Sequence, residues 1–458
     1  MEISMTELLK PNNSQLKRIA RKTVAPLFHR AVGYHPFRMK TVHFATSFLL
    51  CVSGRYRILK LLNQVSNPKS VEKSPGDPYV TSNLYELLKN AEFSPLGQLV
   101  SENDFAFLRN HLCATFNNDG AALGAAFPPY KTFGFDFSTP SPEFLADASK
   151  NHGNAGVLVY SILTQTVDGR TFLELAKKIF ESGSIPSAAL GMPFVEKETE
   201  DYPSPAEVLS DDFPVGDLGV LSQKMTPQTK ALLNLARNLD MLSPAYALRQ
   251  LIIGVGSWFL LYLIKTASGE DALVVPDFSG LSTGRIRTQA RACFARHISA
   301  FGRLVSTKIS EHAIEVTSDE IDAFQILSDY VTTEFEQHFN DFSIRIGWAQ
   351  PRASNVKQKH FETVPDTLRV LLMSILAPDE IVTMDEVAER LLDSWRICIG
   401  LVPTNHDLLT NHGYSPLDHD ADLRVNRLHF KNLAIALGLA REPSDGLVLF
   451  SLDPQTIS

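Results

Sequence analysis

The chain has 458 residues, 44% of them hydrophobic and 21% charged, with Gly 25, Pro 26 and Cys 4. That balance excludes a generally disordered, collagen-like or disulfide-dense protein and fits a globular chain of two or three domains with a sizeable core. The net charge of −8 argues against a polyanion partner, yet its layout argues for one, because one end is a cation and the rest an anion.

Residues 8–71 hold twelve Lys and Arg and no Asp or Glu, whereas residues 72–458 hold 31 basic against 49 acidic residues. Lys17, Arg18, Arg21, Lys22, Arg38, Lys40, Arg55 and Arg57 are the candidate nucleic-acid contacts of this stretch, directed at phosphates rather than at bases. Phe28, Tyr34, Phe37, Phe44, Phe48 and Tyr56 interleave with them and either stack on nucleotides or build a core. Val42–Val52 reads as an apolar core helix. Docking on an acidic partner, or on the chain's own acidic part, uses the same charge without DNA. The first ten residues show no apolar run of signal-peptide length. Cys51, Cys113, Cys293 and Cys398 form no C-x-x-C pair and fit reduced thiols in a cytoplasm.

Asn117–Pro142, rich in Gly, Pro and Phe, reads as irregular, and Asp168–Ser182 as a helix. Pro193–Asp217 carries eight acids against Lys197, with Pro203, Pro205 and Pro214 preventing regular structure, so it reads as a linker or long surface loop. Thr226–Leu242 has a helical apolar stripe. Leu251–Ile264 is a 14-residue apolar run, shorter than the ~20 residues of a membrane span, and reads as a buried helix. Ala272–Val275 is a strand candidate. Phe278–Ser310 is a second acid-free block. On a helix its Arg285, Arg296 and Arg303 lie within about 20° of one another, opposite Ile286, Cys293, Phe294, Ile298, Phe301 and Leu304. These arginines join the candidate phosphate contacts; the competing reading is a solvated face paired with the acidic helix that follows.

Thr317–Glu320 is a capping box, and Pro365 suits the first turn of a helix over Asp366–Leu376. A second capping box, Thr383–Glu386, opens a helix with Val387, Leu391, Leu392 and Trp395 on one face. Asp420 or Asp422 is the expected cap of a further helix carrying Leu423, Leu428, Phe430, Leu433 and Leu437, which Gly438 stops. Asp445-Gly446 marks a hairpin turn. Helix, helix and hairpin is the order of a winged helix, a module that binds DNA or docks protein. The expected fold is mainly α with minor β, multi-domain and helical. Its parts are a basic N-terminal helical domain (1–192), an acidic linker (193–217), a helical middle domain (218–378) and a winged-helix-like module (379–458).

Chemistry is scarce. No P-loop, H-E-x-x-H, kinase signature or deaminase H-x-E with P-C-x-x-C occurs, and no PD with E-x-K pattern is convincing. Gly280-Leu281-Ser282-Thr283-Gly284 is a G-x-S-x-G between a strand candidate and a helix, as in a nucleophile elbow. Four residues separate it from the strand, however, and no parallel α/β pattern surrounds it. Ser282 is therefore the one catalytic alternative, against a helix cap. His406, His412 and His419 lie among Asp407, Asp418 and Asp420, but their spacing matches no ligand motif. No metal site, cofactor or membrane contact is expected.

Val274–Ser306 (VVPDFSGLSTGRIRTQARACFARHISAFGRLVS) and Asn426–Phe450 (NRLHFKNLAIALGLAREPSDGLVLF) resemble accessory, non-motor subunits of bacterial multi-gene anti-phage defence systems. The resemblance covers under a fifth of the chain and contains no catalytic motif. It implies a subunit working beside a separate ATPase, nuclease or methyltransferase, and assigns no functional residue. The sequence thus predicts a cytoplasmic, non-enzymatic DNA-binding or scaffold subunit. A serine hydrolase using Ser282 and a pure protein–protein adaptor are the alternatives.

Overall fold

The computed structural model describes residues 41–52, 154–183, 218–280, 284–313, 333, 336–351, 358–401, 405–412, 416–444 and 446–453. These are mainly helical (72%), with a few short antiparallel strands. The chain forms two compact units, one of residues 33–219 with 242–249, the other of residues 1–32, 220–241 and 250–458. The acidic linker, the Asn117–Pro142 stretch and the Thr317–Glu320 box lie outside the described residues.

In the unit of residues 33–219, α1 (Thr41–Val52) and α2 (Asn154–Leu163) are apolar on nearly every side, as interior helices are. Phe44, Phe48 and Leu49 of α1 are buried, as are Val157, Leu158 and Tyr160 of α2. The third helix, α3 (Val167–Gly183), is amphipathic and presents Phe172, Ala176 and Phe180 inward, with Phe172 stacked on Phe48 at 6.5 Å.

After the short α4 (Leu218–Lys224) come α5 (Thr226–Asn238) and α6 (Pro244–Ser268). The run Leu251–Ile264 lies in α6, which at 25 residues is longer than the run itself suggests. Its Tyr246–Ser268 stretch is long and apolar enough to cross a membrane, but 94% of its apolar window is buried inside the protein. Gly254 lets α6 meet α5, since a Cβ there would stand 2.4 Å from Leu235 Cδ2. All three indoles are buried and hydrogen-bonded. Trp258 donates to Thr229 Oγ1 at 3.2 Å, Trp348 to Ser257 Oγ at 2.7 Å and Trp395 to Ser374 Oγ at 2.7 Å.

The arginine helix is α7 (Arg285–Ala313). Ile286, Cys293, Phe294, Ile298 and Phe301 are buried, as their spacing predicts, while Leu304 of the same face is half-buried. Residues 336–345 form α8. Two-residue strands β1 (Ala349–Gln350) and β2 (His360–Phe361) then pair antiparallel. The expected strand Ala272–Val275 is corrected. It makes an isolated parallel bridge, Val274 to Ile397, because Pro276 and the loop after it turn away toward β2.

The C-terminal elements are α9 (Pro365–Ile375), β3 (Val382–Thr383), α10 (Met384–Trp395), α11 (His406–Asn411), α12 (Pro416–Ala436), β4 (Ala440–Ser444) and β5 (Leu447–Phe450). Proline opens α9, and both arms of the Thr383–Glu386 capping box are present at α10. Asn234 and Asn238 of α5 clamp the end of α9. Their amides donate to Ser374 O and Leu376 O, and to Met373 O and Leu376 O, at 2.7–3.0 Å, satisfying carbonyls that a helix end leaves open. The cap expected at Asp420 or Asp422 is corrected. Pro416 opens α12, and Asp420 instead pairs with Arg424 one turn on. The sheet order is β3–β5–β4, all antiparallel, with Val382 and Ala440 both registered on Phe450. Gly446 takes φ +80° between β4 and β5, a conformation a turn demands of glycine; Asp445 lies outside the described residues.

Candidate functional site

Residues 276–279 form a loop tied to both α12 and β2. Its conformation is fixed by a side chain 150 residues away. Asn426 of α12 donates from Nδ2 to Pro276 O at 2.9 Å and accepts the Phe278 N–H on Oδ1 at 2.8 Å. The Phe278 ring meets Phe430 edge-on at 5.1 Å, and Phe430 stacks on Phe450 at 6.0 Å. From the other side, the Asp277 N–H donates to Phe361 O of β2 at 2.8 Å.

This arrangement buries Asp277 completely. Its Oδ1 accepts from the Ser279 N–H at 2.8 Å and the Ser279 hydroxyl at 2.5 Å, while Oδ2 accepts from Arg287 Nε at 2.8 Å. Arg287, in the first turn of α7, also donates from Nη2 to Glu362 Oε2 at 3.0 Å. His360 Nε2 lies 2.9 Å from the same oxygen, and its Nδ1 lies 3.1 Å from Gln358 O. Two carboxylates, one guanidinium and one imidazole thus share a mostly buried cluster. Buried charges persist only where paired and hydrogen-bonded, and each oxygen of Asp277 is.

A second group lies nearby on α7. His297 is buried, donates from Nε2 to Leu273 O at 3.0 Å and accepts on Nδ1 from the Ser268 hydroxyl at 2.9 Å. Burial brings its pKa down to about 4, so the ring is neutral. Ser268 stands in the last turn of α6, where the helix dipole is negative. That polarity opposes a developing oxyanion, so the pair is a structural tie. Cys51, Cys293 and Cys398 are buried; burial pushes the Cys51 thiol well up and the Cys398 thiol up to about 12, which removes both as nucleophiles.

Of the residues the sequence singles out, Arg285 and Arg303 are exposed on α7 and Arg296 is half-buried. Lys17, Arg18, Arg21, Lys22, Arg38, Lys40, Arg55, Arg57 and Ser282 lie outside the described residues. His406 and His412 are not brought into a ligand cluster with each other: His412 Nδ1 is engaged by Leu408 O at 2.9 Å, and His406 stands beside Asp407 at 3.9 Å. The Asp277, His360 and Glu362 cluster escapes a motif search because its parts are 83 residues apart. The one local signal is His360-Phe361-Glu362, whose alternation puts both polar residues on one side of an extended strand.

A different surface is carried by α12. Its cations are occupied: Arg424 pairs with Asp420 at 2.8 Å, Arg427 with Asp385, and Lys431 with Glu442 at 2.9 Å. Its exposed residues are Ala421, Arg424, Val425, Leu428, Asn432, Ile435 and Ala436, with Val425, Leu428 and Ile435 at 45%, 50% and 37% exposure and Arg424 held by Asp420 at the edge of this face.

No protein family, curated protein or solved structure matches this chain.

Proposed function

We propose that the chain is a cytoplasmic, non-enzymatic subunit of a multi-protein assembly, and that residues 379–458 form a winged-helix-like module that docks a protein helix. The element order strand, three helices, hairpin (β3, α10, α11, α12, β4 and β5) and the sheet order β3–β5–β4 support the winged-helix reading. In DNA-reading helix-turn-helix modules the base-reading helix sends basic and amide side chains into the major groove. Here α12 occupies that place in the order, its three cations are paired with acidic neighbours, and its outer side carries the exposed Val425, Leu428 and Ile435.

The observation that carries the reading is spacing. Ala421, Val425, Leu428, Asn432 and Ile435 are separated by four, three, four and three residues, the seam by which one helix receives another. Asn432 interrupts that seam with a single amide, a device that fixes register in helix pairs. The occupant is an amphipathic helix, from a partner such as an ATPase or nuclease subunit or from a second copy. The exposed Arg285 and Arg303 leave room for DNA held by phosphates alongside it.

A photo-crosslinking residue at position 428, expressed in the native cell, tests this. The expected product is a covalent adduct to an apolar position of a helical segment, abolished when Val425 is changed to Glu. Absence of protein adducts, with duplex DNA binding that is lost when Arg424, Arg427 and Lys431 are neutralised, overturns it in favour of a DNA-reading wing.

A further inference from the structure

We propose that Asp277, His360 and Glu362 form a binding site for a divalent transition metal, in which the ion and the Arg287 guanidinium compete for the same carboxylate oxygens. The inference is independent of the docking seam.

Three observations converge. First, one ligand atom from each of the three side chains lies within 4.8 Å of the others. The chain brings them together from a loop and a strand, with Asp277 N–H bonded to Phe361 O between His360 and Glu362. Second, His360 faces two acceptors, Gln358 O at 3.1 Å and Glu362 Oε2 at 2.9 Å. A neutral imidazole has one N–H. With that hydrogen given to Gln358 O, the Nε2 lone pair points at a carboxylate oxygen, and a cation on Nε2 relieves the clash. Metal-bound histidines usually donate their other N–H to a carbonyl or carboxylate, the contact Gln358 supplies. Third, the Asp277 carboxylate is already oriented. Both Ser279 donors hold Oδ1, leaving Oδ2 turned toward Arg287 and the cluster.

The donor set is one imidazole nitrogen and two carboxylates. It suits Zn²⁺, Mn²⁺, Fe²⁺ or Co²⁺ and excludes Cu(I), which prefers sulfur. Three protein ligands leave further coordination positions for water. The approach is from the side of Glu362 and Arg287, whose side chains are 29% and 14% exposed, since Asp277 and His360 are buried. The competing arrangement has no metal: a proton on His360 and the Arg287 guanidinium together balance the two carboxylates. In that case the cluster is a closed ion-pair network and takes up no ion.

Cobalt(II) distinguishes them, because its visible absorption reports ligation directly. Titrating the full-length chain is expected to give one saturable equivalent per chain. His360→Gln removes it. Ser279→Ala, which removes the hydroxyl that helps orient Asp277, weakens it on the order of 10-fold. Arg287→Met removes the competitor and tightens it by roughly 10-fold or more; the same variant should melt lower than the parent without cobalt and recover with it. Circular dichroism of each variant separates lost binding from lost fold. No saturable cobalt uptake by the parent and Arg287→Met proteins at millimolar metal overturns the site. So does a His360→Gln protein that is folded and binds with unchanged affinity.

Discussion

Changing Asn426 to alanine is expected to lower the stability of the C-terminal unit by about 2–4 kcal/mol, because each of the two backbone groups it serves, Phe278 N–H and Pro276 O, costs about 1–3 kcal/mol when left unpaired. Asn426 is fully buried, so water does not substitute for it. The change also loosens the loop that carries Asp277. The measurement is chemical denaturation of the full chain, with hydrogen exchange read at residues 277–279. An unchanged midpoint together with unchanged protection there would show that α12 does not hold that loop.

The second large effect concerns acid. His297 has its pKa lowered from 6.5 to about 4, chiefly by burial; the adjacent Arg296 and His412 push the same way, and the Leu273 carbonyl opposes them. Below pH 6.5 the unfolded chain takes up a proton that the folded ring refuses. Stability therefore falls as pH drops from about 6.5 toward 4, and the loss is complete below the folded pKa. At about 1.36 kcal/mol per unit, the full contribution is about 3 kcal/mol. His297→Gln keeps a donor for Leu273 O and has nothing to titrate. Its melting temperature should fall less than the parent's between pH 7 and 4. Parallel pH profiles for the two proteins would remove His297 as the acid-sensitive group.

Local chemistry was readable from the sequence, and long-range pairing was not. Pro365 and the Thr383–Glu386 box mark their helix starts because caps act over three or four residues. The buried run in α6 and the inward face of α7 follow from period alone. The start of α12 was misplaced because acids inside a helix look like caps until their i,i+4 partner is known; Asp420 belongs to Arg424. The Ala272–Val275 segment has strand composition but a single bridge, since Pro276 ends it and Asn426 draws the next residues elsewhere. The Asp277 cluster was illegible for a related reason. Its cohesion depends on Arg287, Phe361 and Asn426 arriving from three parts of the chain, and no spacing rule reports that.

The placement of the three tryptophans has an optical consequence. All of them belong to the unit of residues 220–241 and 250–458, each tethered by its indole N–H to a serine or threonine hydroxyl. Emission excited at the red edge of the aromatic band is thus a private channel for that unit. The unit of residues 33–219 is silent in it and shows only through tyrosine or backbone signals. A denaturation curve followed by indole fluorescence alone will therefore look simpler than the molecule, and a difference between that curve and far-ultraviolet dichroism is the direct readout of the two units melting apart.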